Sequence, residues 1–387
     1  MLQLLLTPTL RTDAVGLSSQ GKPGLQWIGS IMDFGIGIAT SGDSWKLAQR
    51  AEELGFSHAW FYDTQMIVAD PFVAMGAAAV KTSRIRLGTG VLVPSNRLAA
   101  VAAVGFATLN QMAPGRIDFG VGTGFSARRA MGLGAMKMKD LEEYIRVVRG
   151  LLAEETLVTD IEGKPHKIRF LNPEIGLINT RDPIRVHVSA YGPKTQSLAA
   201  RLDAGWVTFI AGVDGALTEL KGMQTAWSDA GRIPSELYST AFTAGCVLRD
   251  GETYDSPRVI GAAGPRAAVM LHRAADERLM KLPNSSPYPS HLEAEMEGYI
   301  ALAQTFEPED ARYLTNHRGH FVFVKPEEKP FVTGALIRHA TFTAGEQELK
   351  QRVEALRDGG YSQLTFSITP GHEDAIEDWG RIVQAFK

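Results

Sequence analysis

The chain has 387 residues, 44% of them hydrophobic, which is enough to bury the core of one large α/β domain. Its formal charge is −3, from 40 basic and 43 acidic residues, and no basic block is interleaved with aromatics, which excludes a nucleic-acid footprint and favours a small-molecule partner. The only cysteine, Cys246, excludes an internal disulfide or a cysteine-built zinc or iron–sulfur centre and fits a reducing cytoplasm.

Residues 1–31 have no period and many turn formers, and the opening MLQLLL is too short for a signal-peptide core and follows no basic residue. They read as a weakly ordered N-terminal extension with Met32 as the natural start; an ordered arm on the domain or on a dimer partner is the alternative. No apolar run approaches the ~20 residues needed to cross a bilayer. From Met32 onward, strand-like runs at 33–39, 58–63, 85–93, 117–122, 185–190, 206–210, 240–248 and 363–368 are separated by stretches of helical period. Those helices are expected at 44–54, 71–80, 98–111, 140–153, 193–204, 216–230 and 346–358. In the fourth, Leu141, Tyr144, Ile145, Val148, Leu151 and Leu152 form one apolar stripe, with Glu142, Glu143, Arg146 and Arg149 facing away. The alternation predicts an α/β fold, a (β/α)8 TIM barrel formed by a single domain over 32–387; an open doubly wound sheet is the alternative.

Two segments interrupt the rhythm. Residues 155–184 read as a hairpin around Glu162-Gly163-Lys164-Pro165 followed by a loop, and residues 277–335 form a larger insertion with a helix near 293–304. Long excursions on the C-terminal face of a barrel build pockets and lids, so both are candidate pocket walls, and the hairpin is equally a structural cover.

The stretch RIDFGVGTGFSARR (116–129) contains Gly122-x-Gly124-x-x-Ala127, the spacing of a dinucleotide-binding loop. It follows the fourth strand rather than the first, and no strand with a ribose-binding acid comes next, so that reading is disfavoured. Either the glycines make a tight turn, or Gly122, Thr123 and Gly124 let a flat ring lie close to the strands at the barrel mouth. A second stretch, Tyr191-Gly192-Pro193-Lys194-Thr195, opens a helix with free N–H groups, a dipole end, a lysine and a hydroxyl, which suits a phosphate; an ordinary helix start with a solvated lysine is the alternative.

The run IRLGTGVLVPSNRLAAVAAVGFATLNQMAPGRIDFGVGTG (85–124), together with AQRAEELGFSHAWFYD (48–63) and VHVSAYGPKTQSLAARLDAGWVTF (186–209), resembles the luciferase-like family of flavin-dependent monooxygenases and F420-dependent oxidoreductases. Weaker similarity runs through FTAGEQELKQRVEALRDGGYSQLTF (342–366). The resemblance implies a barrel whose mouth binds FMN or the deazaflavin F420. It places Gly90 and Val91 at a non-proline cis peptide behind the cofactor ring, Asp63 and Thr64 beside the ring, Thr123 and Gly124 on a cofactor contact, and Gly192, Pro193, Lys194 and Thr195 on the phosphate.

The chain departs from the family where Thr64 and Gln65 follow Asp63 in place of a histidine, and where Phe125 stands at an often acidic position. Both departures remove obvious proton donors. His317 and His320, in the large insertion, are candidates to contact substrate or move a proton, or are plain loop surface; a metal is not expected there, because no carboxylate partner completes the half-site. His187 reads as a barrel-interior residue. The function expected is oxygenation of a small organic substrate by O2 with reduced FMN from a separate reductase. The alternatives are F420-dependent hydride transfer, as in methylenetetrahydromethanopterin reductases, and a flavin-binding barrel without turnover. The resemblance also implies a homodimer, for which the alanine-rich stretches 74–80 and 99–107 allow close helix packing; the same alanines could pack on their own barrel.

Overall fold

The computed structural model describes residues 32–280 and 288–387; the expectation for residues 1–31 lies outside them. In chain order the strands are β1 (Asp33–Ile38), β2 (His58–Phe61), β3 (Arg86–Thr89), β4 (Ile117–Val121), β5 (Leu157–Ile161), β6 (Lys164–Ile168), β7 (Arg185–Ser189), β8 (Gly205–Phe209), β9 (Ser239–Ala244), β10 (Val247–Leu248), β11 (Ala344–Gly345) and β12 (Gln363–Ile368). The helices are α1 (Ser44–Leu54), α2 (Pro71–Lys81), α3 (Ala99–Met112), α4 (Phe125–Arg129), α5 (Met138–Leu152), α6 (Pro193–Arg201), α7 (Val213–Asp229), α8 (Pro257–Leu279), α9 (Glu293–Ala303), α10 (Arg312–Asn316), α11 (Gly334–Ala340), α12 (Glu346–Asp358) and α13 (Ala375–Gln384). Eight strands close into a parallel barrel in the order β1-β12-β9-β8-β7-β4-β3-β2, as expected of a (β/α)8 fold. Among the described residues no helix is long and apolar enough to cross a membrane.

Strand alternation divides the side chains between two cores. On β2, Ala59 and Phe61 join the large cluster under the surrounding helices, while Trp60 joins Val207 and Phe242 inside the barrel. The strands' starting end is closed by charge rather than by hydrocarbon: Asp118 is fully buried and paired with Arg86 at 2.7 Å, with His187 at 3.5 Å and His58 at 3.8 Å. Burial alone would push the Asp118 carboxyl up, but the Arg86 guanidinium and His187 hold it far below the usual carboxylate range. His187 is thus a barrel-interior residue, as expected.

The two insertions differ from expectation in place and extent. β5 and β6 form the expected hairpin, turning through Glu162 and Gly163 at positive φ. The hairpin follows α5, on the side where strands begin, and packs on that helix: Thr159 donates to Glu143 at 3.0 Å and Arg146 donates to the Val158 carbonyl at 2.7 Å. It is a cover for α5, not a pocket wall. The larger excursion starts well before residue 277. β10 and β11 pair in parallel and pinch its base, and between them α8, α9, α10 and α11 enclose a second hydrophobic core containing Leu271, Tyr299 and Leu336. The missed start is α8, whose alanines, glycines and internal Pro265 blur the helical stripe.

Candidate active site at the barrel mouth

Strand ends converge on the C-terminal face, where β2 runs into Tyr62, Asp63 and Thr64. The buried Asp63 carboxylate accepts the Val93 N–H at 2.9 Å and the Asn96 amide at 3.1 Å, and Arg97 lies 3.9 Å away. Burial pushes this carboxyl up, against the lowering effect of those donors and of Arg97. Asn96 donates as well to Gln65 at 2.9 Å, so Asp63 and Gln65 together fix the segment that follows β3. Thr64 is partly buried beside them.

That segment opens with the Gly90–Val91 peptide, which is cis, as the resemblance implied. The Val91 side chain packs against the interior cluster of Trp60, Tyr62, Val207 and Phe242, and β3 ends at Thr89, short of the expected residue 93. The glycines of β4 answer it. A Cβ on Gly122 would lie 2.9 Å from Val91 Cγ2, and one on Gly124, at φ 71°, only 2.4 Å from Val93 Cγ1. The GxG spacing therefore makes room for Val91 and Val93; the space expected for a flat ring at these glycines is filled by valine side chains. Thr123 stands half-buried between them, its carbonyl accepting from Met136 N–H at 3.4 Å. Phe125 stacks on the Arg129 guanidinium at 3.7 Å and offers no proton.

The large excursion covers the mouth. Phe321, itself at a positive φ of 66°, meets Tyr62 and Phe209 edge-on at 5.8 and 5.9 Å. Tyr62 shares a 2.5 Å hydrogen bond with Ser367 on β12. Over the Phe321 ring, at 5.9 Å, stands Arg266 of α8, whose Nε has no hydrogen-bond partner among the described residues. Burial lowers its pKa, with Tyr191 and Tyr62 the nearby groups that favour the charge. An uncompensated guanidinium under aromatic cover, at the mouth of a barrel, is chemically ready for an electron-rich ring edge or an anion. Arg97 Nε and Tyr144 Oη are two more buried polar atoms without hydrogen-bond partners among the described residues, the latter in electrostatic reach of Asp63. Neither Arg266 nor Arg97 stood out in the sequence, because single polar residues on a helix or in a connecting loop carry no pattern, and Tyr144 was read only as part of the apolar stripe of α5.

At α6 the expected turn is present. Gly192 caps the helix with no side-chain bond to its N–H groups, Pro193 takes the first turn, Lys194 is exposed, and Thr195 contacts Met138 Sδ at 3.8 Å. An open groove of about 430 Å³ runs past Lys194, Glu142 and Arg201.

His317 and His320 are buried, not on a loop surface, and they meet a third histidine, His272 of α8. His320 Nδ1 is 2.9 Å from His272 Nδ1 and 3.4 Å from His317 Nδ1. The carboxylates that seemed missing from the sequence arrive from a distance: Asp276 at 3.0 Å from His317 Nε2 and Glu328 at 2.5 Å from His272 Nε2. Burial, then the neighbouring histidines, push the His320 pKa well below its ordinary value.

A family model described as luciferase-like monooxygenase matches residues 38–363. The chain is 28% identical over 224 residues to the 5,10-methylenetetrahydromethanopterin reductase of Methanolobus tindarius, covering 57% of this chain and 67% of that one. It is 35% identical over 143 residues to the F420-dependent glucose-6-phosphate dehydrogenase of Beutenbergia cavernae, covering 34% of this chain and only 40% of that enzyme. Among solved structures, the coenzyme F420 dependent tetrahydromethanopterin reductase from Methanopyrus kandleri superposes with a TM-score of 0.65 at 19% identity, over 92% of this chain and all of that one, a likeness of fold.

Proposed function

Because the chain belongs to the luciferase-like family of oxidoreductases, which its match over residues 38–363 shows, we propose that it transfers hydride between the deazaflavin F420 and a small organic substrate. This reverses the order of the two enzymatic readings drawn from the sequence. Both relatives above act with a deazaflavin or on a pterin, and neither is described as an oxygenase. The observation that carries the reading at the site is Arg266: a cation with an unsatisfied Nε at the mouth fits a ring that gains negative charge on reduction.

The fit extends to the rest of the mouth. F420 bound there supplies a ring carbon that accepts or returns a hydride. The protein's residues bind, orient and exclude water. On this reading Gly90 and Val91 form the wall behind the ring, Asp63 holds that wall in place through Val93 N–H, and Thr64 and Thr123 line its edge. The N–H groups of Gly192 to Thr195 and Lys194 take the phosphate, and Phe321 keeps water out. Thr64 in place of histidine speaks against a sugar-phosphate substrate. The description of the matched family favours a second reading, oxygenation by O2 with reduced FMN from a separate reductase.

Titrating the protein with F420 and, separately, with FMN decides between them. Saturable F420 binding that weakens about tenfold or more in Arg266→Ala is expected, given the worth of a charged hydrogen bond. FMN binding with O2 uptake above the rate of free reduced flavin overturns this in favour of the second reading, and binding of neither overturns both.

A further inference from the structure

We propose that His272, His317 and His320 bind a divalent late first-row metal ion, zinc foremost, through their three converging Nδ1 atoms. This reverses the sequence expectation that no metal binds there. One ring nitrogen from each histidine lies within 4.8 Å of the others, and all three rings are buried. In neutral rings the carboxylate partners select the tautomer of two of them. His272 Nε2 donates to Glu328 and His317 Nε2 to Asp276, which leaves a lone pair on each Nδ1, pointing inward. Between His272 Nδ1 and His317 Nδ1 stands His320 Nδ1, at 2.9 and 3.4 Å, and a single N–H there cannot serve both lone pairs well. A tetrahedral ion with nitrogen ligands at about 2.0–2.1 Å holds them about 3.4 Å apart, so the His317–His320 pair already has the right separation, the His272–His320 pair must open by about half an ångström, and the His272–His317 pair lies within 4.8 Å.

The surroundings are those of a metal-binding histidine cluster. Each carboxylate that receives a ring N–H is itself held: Asp276 by Arg129 at 3.1 Å and Asn316 at 2.8 Å, Glu328 by Tyr299 and Lys325, each at 3.0 Å. Such carboxylate–histidine pairs orient ligands and raise their basicity. Three imidazoles and no oxygen ligand suit zinc, cobalt, nickel or copper and not magnesium or calcium, and a fourth position is left for water. The ion would tie α8 to the segment that follows α10, one residue before Phe321, and so fix the cover over the mouth.

The full-length chain, without an affinity tag of histidines, is freed of metal with a chelator and titrated with zinc by calorimetry and with cobalt by visible absorption. One ion per chain is expected, with the absorption of tetrahedral cobalt. His320→Asn should weaken zinc binding at least a hundredfold, and Asp276→Asn by 10–100-fold, the usual effect of removing such a carboxylate. The double variant His291→Ala/His339→Ala, which removes a ring pair 5.6 Å apart elsewhere in the excursion, should bind as the parent does. If His320→Asn does not fold, X-ray absorption at the zinc edge of the parent counts the imidazoles directly. A folded parent that binds neither ion stoichiometrically, or an edge spectrum without imidazole, overturns the proposal.

Discussion

His58 shows how far a residue's chemistry depends on neighbours distant in sequence. It is fully buried at the closed end of the barrel, stacked on Trp60 and 3.8 Å from Asp118. Burial pulls its pKa down to about 4, and Asp118 only partly opposes this. An unfolded chain takes up a proton at this histidine near its ordinary value of about 6.5, while the native state refuses it until about 4. The neutral imidazole therefore supports the fold fully above that ordinary value, and its support is lost as the pH falls. By about pH 5 the loss is about 2 kcal/mol. Urea unfolding of the parent and of His58→Gln at about pH 7 and pH 5 checks this: the parent should lose more stability than the variant, and equal losses would refute it. The glycines at 122 and 124 teach the same lesson. Their identity was visible as a motif, but what they accommodate, Val91 and Val93, became visible only with strands β3 and β4 side by side.

Elements were legible where one period dominated a segment. All eight barrel strands and the stripe of α5 follow from alternation and from 3.6-residue spacing, because each packs a continuous apolar face on the barrel. α13 carries a similar stripe in Ile376, Trp379, Ile382 and Val383, and could have been read had the chain not already supplied its eight strands. α8 could not, since its buried face is largely alanine and glycine. With α8 hidden, so were Arg266 over Phe321 and His272 beside His317 and His320. Family motifs carried Asp63 and Gly90–Val91; nothing of that kind marks the excursion. Its separate core predicts separate stability. Leu336 is wholly buried there, and Leu336→Ala should cost about 2–5 kcal/mol. Native-state hydrogen exchange should show the loss in amides of α8, α9 and α11, with those of β1 and β12 protected as before. Uniform loss across the barrel would mean that excursion and barrel unfold as one unit.

At the scale of the whole molecule, the alanines expected to bring helices of two copies together do something else. Ala74, Ala78 and Ala79 of α2, and Ala102, Ala103 and Ala107 of α3, are buried in their own chain. The outward face of the same helices is apolar even so: Val73 is 73% exposed, Val80 66% and Val101 52%, with Leu98, Val104 and Met112 beside them. Helices α2 and α3 pack side by side, so these residues form a patch on one face of the barrel wall. A β-branched residue exposed alone needs no explanation, whereas six apolar side chains on two adjacent helices are costly to leave in water. A two-fold axis through the patch would cover it with its own copy, since each side then offers the same surface to the other. Light scattering on the parent at micromolar concentration should accordingly give twice the chain mass of 42.0 kDa. Val73→Glu with Val101→Glu should bring it to one chain mass while the far-ultraviolet circular dichroism stays unchanged, because both side chains point away from the core and a buried pair of glutamates is tolerated only when the interface opens. A parent that is already monomeric, or a double variant that remains dimeric, removes this face from consideration.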